Sequence, residues 1–213
     1  MARTSEEYKE LSIKEFTRAA GKYENDFAGI YETCKKDYPE ILEILKEHPF
    51  ETLLDAGCGP APLIALLSEM YPDKHFTGVD LTPAMIEKAK EKNLPNADFV
   101  VGDCENLPFE DSSFDVIVCS ESFHHYPNPQ DFFNSVYRCL KPDGILFLRD
   151  YVADGILAWL VNHLEMPLAN IAGHGDVGVL SKLELLKMCQ KAGLKVERFQ
   201  KVNKVKMNLI ARK

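Results

Sequence analysis

Hydrophobic residues along this chain recur in two rhythms, and the points where one gives way to the other mark its elements. Over the first thirty residues Leu11, Phe16, Ala19, Ala20, Tyr23, Phe27 and Tyr31 fall at helical spacing, which predicts one amphipathic helix or a broken pair. Pro39, at a first helical position, opens another helix carrying Ile41, Leu42 and Leu45, and Pro49 stops it. From Thr52 onward the pattern alternates. Strand-like runs at 52–55, 75–80, 98–102, 114–120 and 145–150 are separated by helical runs at 63–70, 84–93 and 130–140. Alternation at this spacing predicts parallel strands joined by right-handed crossovers, with helices on both faces.

The end of the chain breaks the rhythm. Ser181-Lys182-Leu183-Glu184 reads as a capping box, Gly193 as the residue that ends the helix, and Leu185, Leu186 and Cys189 as its inner face. Two strands follow with no room for a crossover, so they must pair antiparallel. In the second, Val205, Met207, Leu209 and Ala211 alternate with Lys204, Lys206 and Asn208. The predicted fold is α/β: a Rossmann-like three-layer sandwich whose mostly parallel seven-stranded sheet ends in an antiparallel hairpin, with an N-terminal helical cap. A chain of 213 residues suits one such domain. It divides into a cap at 1–49, a ligand-binding core at 50–150, an inserted helix-loop lid at 151–180, and the last helix and hairpin at 181–213. In the insert, Ile156, Leu157, Trp159, Leu160, Val161 and Leu164 read as a helix packed on the sheet and broken by Pro167. The loop Gly173-His174-Gly175-Asp176-Val177-Gly178 follows, with His174 and Asp176 as pocket residues.

Charge and cysteine usage narrow the function classes. A formal net charge of −8 disfavours a nucleic-acid partner. The basic residues near the C-terminus (Lys195, Arg198, Lys201, Lys204, Lys206, Arg212, Lys213) read as the solvated side of a strand pair. The six cysteines are scattered without a Cys-x-x-Cys pair, so no metal site is expected and reduced thiols of a cytoplasmic protein are the reading. Met1 to Glu10 carry no apolar signal segment, and no apolar run approaches membrane-spanning length.

In an open α/β sheet, ligands bind beyond the carboxyl ends of the strands. Those ends hold Asp55-x-Gly57-x-Gly59, then Asp80, then Asp103, then Ser120-Glu121. A single acid there is a common cap or turn former, but three in register with three strands are a signal. A carboxylate beside the glycine turn repels a pyrophosphate and complements an amine. That favours S-adenosylmethionine, whose head carries an ammonium and a sulfonium, over NAD. NAD also needs a third glycine and free amides, where Pro62 and Pro60 stand instead. Asp80 can accept from both hydroxyls of a ribose diol. Asp103 can accept from the adenine amino group while the Cys104 amide donates to the ring, and Asp55 can complement the ammonium.

The stretches LLDAGCGPAPL, TGVDLTPAMIEKAKEK, FVVGDCENLPFEDSSFDVIVCSESFHHYPNP and YRCLKPDGILFLRD resemble class I S-adenosylmethionine-dependent methyltransferases, of the ubiquinone/menaquinone-biosynthesis methyltransferase-like group. The resemblance implies that Asp55, Gly57 and Gly59 line the methionine end, that Leu81 and Met85 pack beside the ribose site at Asp80, and that Tyr23 lies over the cofactor, with Cys58 and Ser120 also among the cofactor-binding residues. It departs from the family at Ala61, where a glycine is usual. A hydroxyl, phenol or acidic C–H acceptor also needs a base. His124 and His125 are the catalytic candidates, with Tyr126, Asp150 and Tyr151 beside them. A small-molecule methyl acceptor is the expected partner. The alternatives are RNA or protein methylation through a partner, and a non-catalytic S-adenosylmethionine-binding module.

Overall fold

The computed structural model describes residues 3–26 and 29–213, so Met1 and the Phe27 of the N-terminal periodicity lie outside the described residues. One sheet holds β1 (Thr52–Ala56), β2 (His75–Asp80), β3 (Ala97–Val101), β4 (Phe114–Ser120), β5 (Leu140–Tyr151), β6 (Lys195–Lys201) and β7 (Lys206–Arg212) in the order β3-β2-β1-β4-β5-β7-β6. The first five run parallel, β7 is antiparallel to β5, and β6 is antiparallel to β7, as the sequence predicts. Strand β5 starts earlier than expected, at Leu140 opposite Phe114. Its ladder then slips before Val116, where the chain turns through Asp143 at φ +63°.

Successive strand residues face opposite sides. Leu54 and Ala56 of β1 enter a core beneath α7 (Pro129–Cys139) and α10 (Lys182–Ala192), with Phe132, Phe133 and Leu185. Leu53 enters the opposite core beneath α4 (Tyr38–Glu47), α5 (Pro62–Met70) and α6 (Pro83–Glu91), with Ile41, Ile64 and Ile86. Helices therefore cover both faces. Strand β7 is interior as well, and Met207 to Ala211 are all buried. The alternation seen there does not sort core from solvent, and Lys206 is not solvated: its ammonium lies 2.7 Å from Glu121.

At the N-terminus the chain forms α1 (Ser5–Ala19), α2 (Tyr23–Asp26) and α3 (Ile30–Lys35). A capping box between Thr4 and Glu7 starts α1, whose buried residues are Ser12, Glu15 and Ala19. That face is partly polar because α1 lies over a cleft rather than a core.

The insert holds α8 (Gly155–Leu160), a π turn at Val161–Glu165 and α9 (Met166–Ile171). The expected packing on the sheet does not occur: α8 buries no residue, and Trp159 is 52% exposed. The widened turn comes just before Pro167, whose ring would otherwise meet the carbonyl one turn back. At its neck Val152 pairs with Leu180, and the Asn162 amide bonds the Val179 main chain through both its ends, at 2.9 and 2.8 Å. No helix among the described residues is long and apolar enough to cross a membrane.

Candidate active site

The loop after β1 is shaped by its neighbours. Gly57 takes φ +81°, and a Cβ there would stand 1.9 Å from Ser122 Oγ, so only glycine lets the loop after β4 come this close. The Gly57 and Cys58 amides donate to the Val79 carbonyl at 2.8 and 3.0 Å. The Gly59 amide donates to Asp80 Oδ2 at 2.9 Å, while Asp80 Oδ1 accepts from the Thr82 amide at 2.8 Å. Each Asp80 oxygen keeps a free lone pair, enough for a vicinal diol. Ala61 takes the left-handed conformation, φ +59°, which glycine adopts more readily.

Strand order reverses between β1 and β4, and a cleft opens there with about 680 Å³ of empty space, its open mouth included. Ten predicted residues line it: Tyr23, Gly57, Gly59, Asp80, Leu81, Met85, Asp103, Cys104, Ser120 and His125. Three do not. Cys58 packs in the core with Ile64, and Asp55 is 4% exposed beneath the loop, so it bears on the cleft through its field rather than as a wall. His124 faces elsewhere. Burial, and then the Asp80 charge, push the Asp55 carboxyl up to about 7. Burial also raises Asp80, against the Thr82 and Gly59 amides that oppose it. Among the described residues no ion pair reaches either acid, so these two carboxyls have no protein counter-ion. Ser120 Oγ is buried there without a hydrogen-bond partner. Those features fit the diol and the cationic head of S-adenosylmethionine.

Asp103 is held differently. Its Oδ1 accepts from the Glu105 amide at 2.9 Å, and Oδ2 meets Lys9 Nζ at 2.7 Å; Lys9 also reaches Glu105 at 2.6 Å. Lys9 went unread because apolar periodicity passes over a cation on an inward helical face. Glu121 stands in the sequence pattern at the end of β4 beside Ser120, with no role assigned to it. It lines the cleft at φ +54°, with its carboxyl raised by burial and by Asp150.

His124 and His125 stand back to back, ring centroids 4.2 Å apart. His125 faces the cofactor cleft, edge-on to Phe16 at 5.1 Å. His124 faces a second cleft of about 760 Å³ lined by Tyr151, Val152, Val161, Met166, Asp176 and Val205. Its Nδ1 donates to Asp150 Oδ1 at 2.8 Å, and the fully buried Asp150 also accepts from the Phe123 and Tyr151 amides at 2.8 and 2.7 Å. Burial pulls His124 down, but Asp150 and then Asp176 hold it above the ordinary histidine range. Burial and the neighbouring His124 push His125 below it. The loop carrying Asp176 is fastened by the Val177 amide, which donates to the His124 carbonyl at 2.9 Å. His174, expected in the pocket, turns to Glu15 of α1 at 2.6 Å instead, because that buried carboxylate also holds the Gly175 amide at 2.9 Å.

Residues 54–148 match the family model described as a methyltransferase domain. Phthiotriol/phenolphthiotriol dimycocerosates methyltransferase 1 of Mycobacterium ulcerans is 37% identical over 122 residues, 56% of this chain and 45% of that protein. An uncharacterized methyltransferase of Schizosaccharomyces pombe is 33% identical over 135 residues, 61% of this chain and 53% of the relative. The chain thus spans about half the length of the curated relatives it matches. Among solved structures, the 1,6-didemethyltoxoflavin-N1-methyltransferase of Burkholderia thailandensis superposes with a TM-score of 0.73 over 100% of this chain and 92% of its own, at 19% identity. That likeness is one of fold. Residues 54–148, which carry the Gly57 loop, Asp80 and Asp103, thus resemble an S-adenosylmethionine-dependent methyltransferase domain.

Proposed function

We propose that the chain transfers a methyl group from S-adenosylmethionine to a small molecule by in-line displacement at the methyl carbon. The observation that carries this reading is the convergence of the Gly57 loop, Asp80 and Asp103 on one cleft within the matched domain. Asp80 takes the ribose diol, Asp103 and the Cys104 amide the adenine, and the Gly57–Gly59 loop over Asp55 the methionine end. Leu81 and Met85 pack on the nucleoside, Ser120 closes the cleft, and Tyr23 covers it. Bound S-adenosylmethionine supplies an electrophilic methyl on a positively charged sulfur. The protein's part is to hold the acceptor close and opposite that sulfur, which can contribute ~7–11 kcal/mol.

The acceptor is assigned to the second cleft, with His124 and His125 at the wall between the two. A largely apolar cleft suits a small organic molecule better than a polymer strand, and the net charge of −8 points the same way. Two relatives are named for small organic acceptors, which supports the class without fixing the molecule. Calorimetric titration with S-adenosylmethionine and S-adenosylhomocysteine, NADH as control, tests the cofactor half. Asp80→Ala is expected to weaken both sulfur nucleosides roughly 10- to 100-fold. Tight NADH binding, or an unaffected variant, would overturn the assignment. Methyl transfer to a panel of phenols, quinols, amines and thiols tests the other half.

A further inference from the structure

Asp176 Oδ1 lies 3.6 Å from His124 Nε2 and 3.4 Å from His125 Nδ1. Both distances are too long for N–H···O hydrogen bonds, which run to about 3.2 Å. They are instead the separation of two atoms on one metal ion: ligands at ~2.0–2.2 Å in tetrahedral array stand roughly 3.3–3.6 Å apart. All three donor atoms lie within 4.8 Å of one another. His125 Nδ1 is buried without a hydrogen-bond partner, an uncommon condition that a bound ion would remove.

The surroundings fit as well. Asp150, an acceptor only, keeps one proton of His124 on Nδ1, so a bound ion has only the Nε2 proton to displace and finds that nitrogen directed at Asp176. A carboxylate behind the metal-binding histidine is the usual outer support of such sites. Two neutral imidazoles with the charges of Asp150 and Asp176 balance a divalent cation. The ligands come from the loop after β4 and the end of the insert, and the Val177–His124 main-chain bond ties the two together.

The geometry points to a site for a borderline divalent ion of the zinc, cobalt or ferrous class, held by His124 Nε2, His125 Nδ1 and Asp176. Three protein ligands leave at least one position open. His124 and Asp176 both line the second cleft, so that position faces the space assigned to the acceptor. There the ion would favour ionisation of an acceptor hydroxyl: its proton passes to solvent water, the oxygen bonds the methyl carbon, and the carbon–sulfur pair stays on sulfur. This role rests on the methyl-transfer reading above, whereas binding of the ion does not.

The test uses the full chain, stripped with EDTA and dialysed. Cobalt(II) chloride titration is expected to raise visible d–d bands that saturate at one ion per chain and collapse when zinc is added. Asp176→Asn and His125→Asn should each weaken cobalt at least 100-fold. Asp150→Asn should weaken it roughly 10- to 100-fold, as loss of an outer support does. Circular dichroism and thermal melting of each variant separate loss of a ligand from loss of the fold. No stoichiometric cobalt binding by the parent chain would overturn the site. So would undiminished binding in folded Asp176→Asn and His125→Asn. If the ion binds while the sulfur nucleosides do not, the site stands and the methyl-transfer reading falls.

Discussion

At the residue scale, the loop after β1 is a compromise between fold and ligand. Asp55 is buried without a counter-ion, and its raised folded value has a definite sign. The native state holds the proton more tightly than the unfolded chain, whose value is the ordinary 3.8, so stability falls as pH rises from there to about 7 and then levels. Asp55→Asn should therefore stabilise the free protein at about pH 8 by a few kcal/mol (~4 at most), the gain vanishing below about pH 4. Urea titrations across that range check the sign, and the same variant should bind S-adenosylmethionine more weakly. Gly57→Ala is expected to cost at least ~2 kcal/mol, from the left-handed conformation and the collision with Ser122, and to abolish nucleoside binding. Adding Ser122→Gly should restore part of the stability and less of the affinity. Asp80 and Asp103 were legible because strand periodicity puts them at strand ends. Lys9 was not, since its partners Asp103 and Glu105 are brought to it only by the folded sheet.

At the scale of elements, local rules held where the chemistry is local. The Ser181–Glu184 box forms with both of its hydrogen bonds, and Gly193 ends α10 at φ +92°. Ser181→Ala should lower stability by about 1 kcal/mol, read as a shift in urea midpoint without a change of slope. Local rules failed where an element's surroundings decide. Helical spacing at the N-terminus did not reveal that α1 crosses a polar cleft, and an apolar run did not make α8 a core helix. Helix α1 is also what joins the two halves of the site. Lys9 grips the loop after β3, Glu15 grips the loop of the insert, and Phe16 rests on His125.

At the scale of the whole molecule, sheet order was readable because crossovers and the final hairpin follow from connection length. The polar network that binds the layers was not, because its members are far apart in sequence. Arg149 of β5 meets Asp37 at 2.7 Å, bonds Glu40 of α4 and reaches Asn208 of β7 at 2.8 Å. Asp37 is 1% exposed, so Arg149→Ala would leave a buried carboxylate with only the more distant Lys206, at 3.8 Å. The expected loss is about 3–5 kcal/mol, measurable as a lower urea midpoint, and it should exceed the effect of removing Glu40 alone.

The paired neck of the insert, Val152 against Leu180, marks where the insert leaves and rejoins the sheet-bearing body of the chain. The match to the methyltransferase model ends before it, at residue 148. The segment beyond begins and ends at adjacent points, so it can be lengthened, shortened or exchanged without moving a strand. A change in the segment therefore alters the wall of the second cleft while the strand-end acids stay where they are.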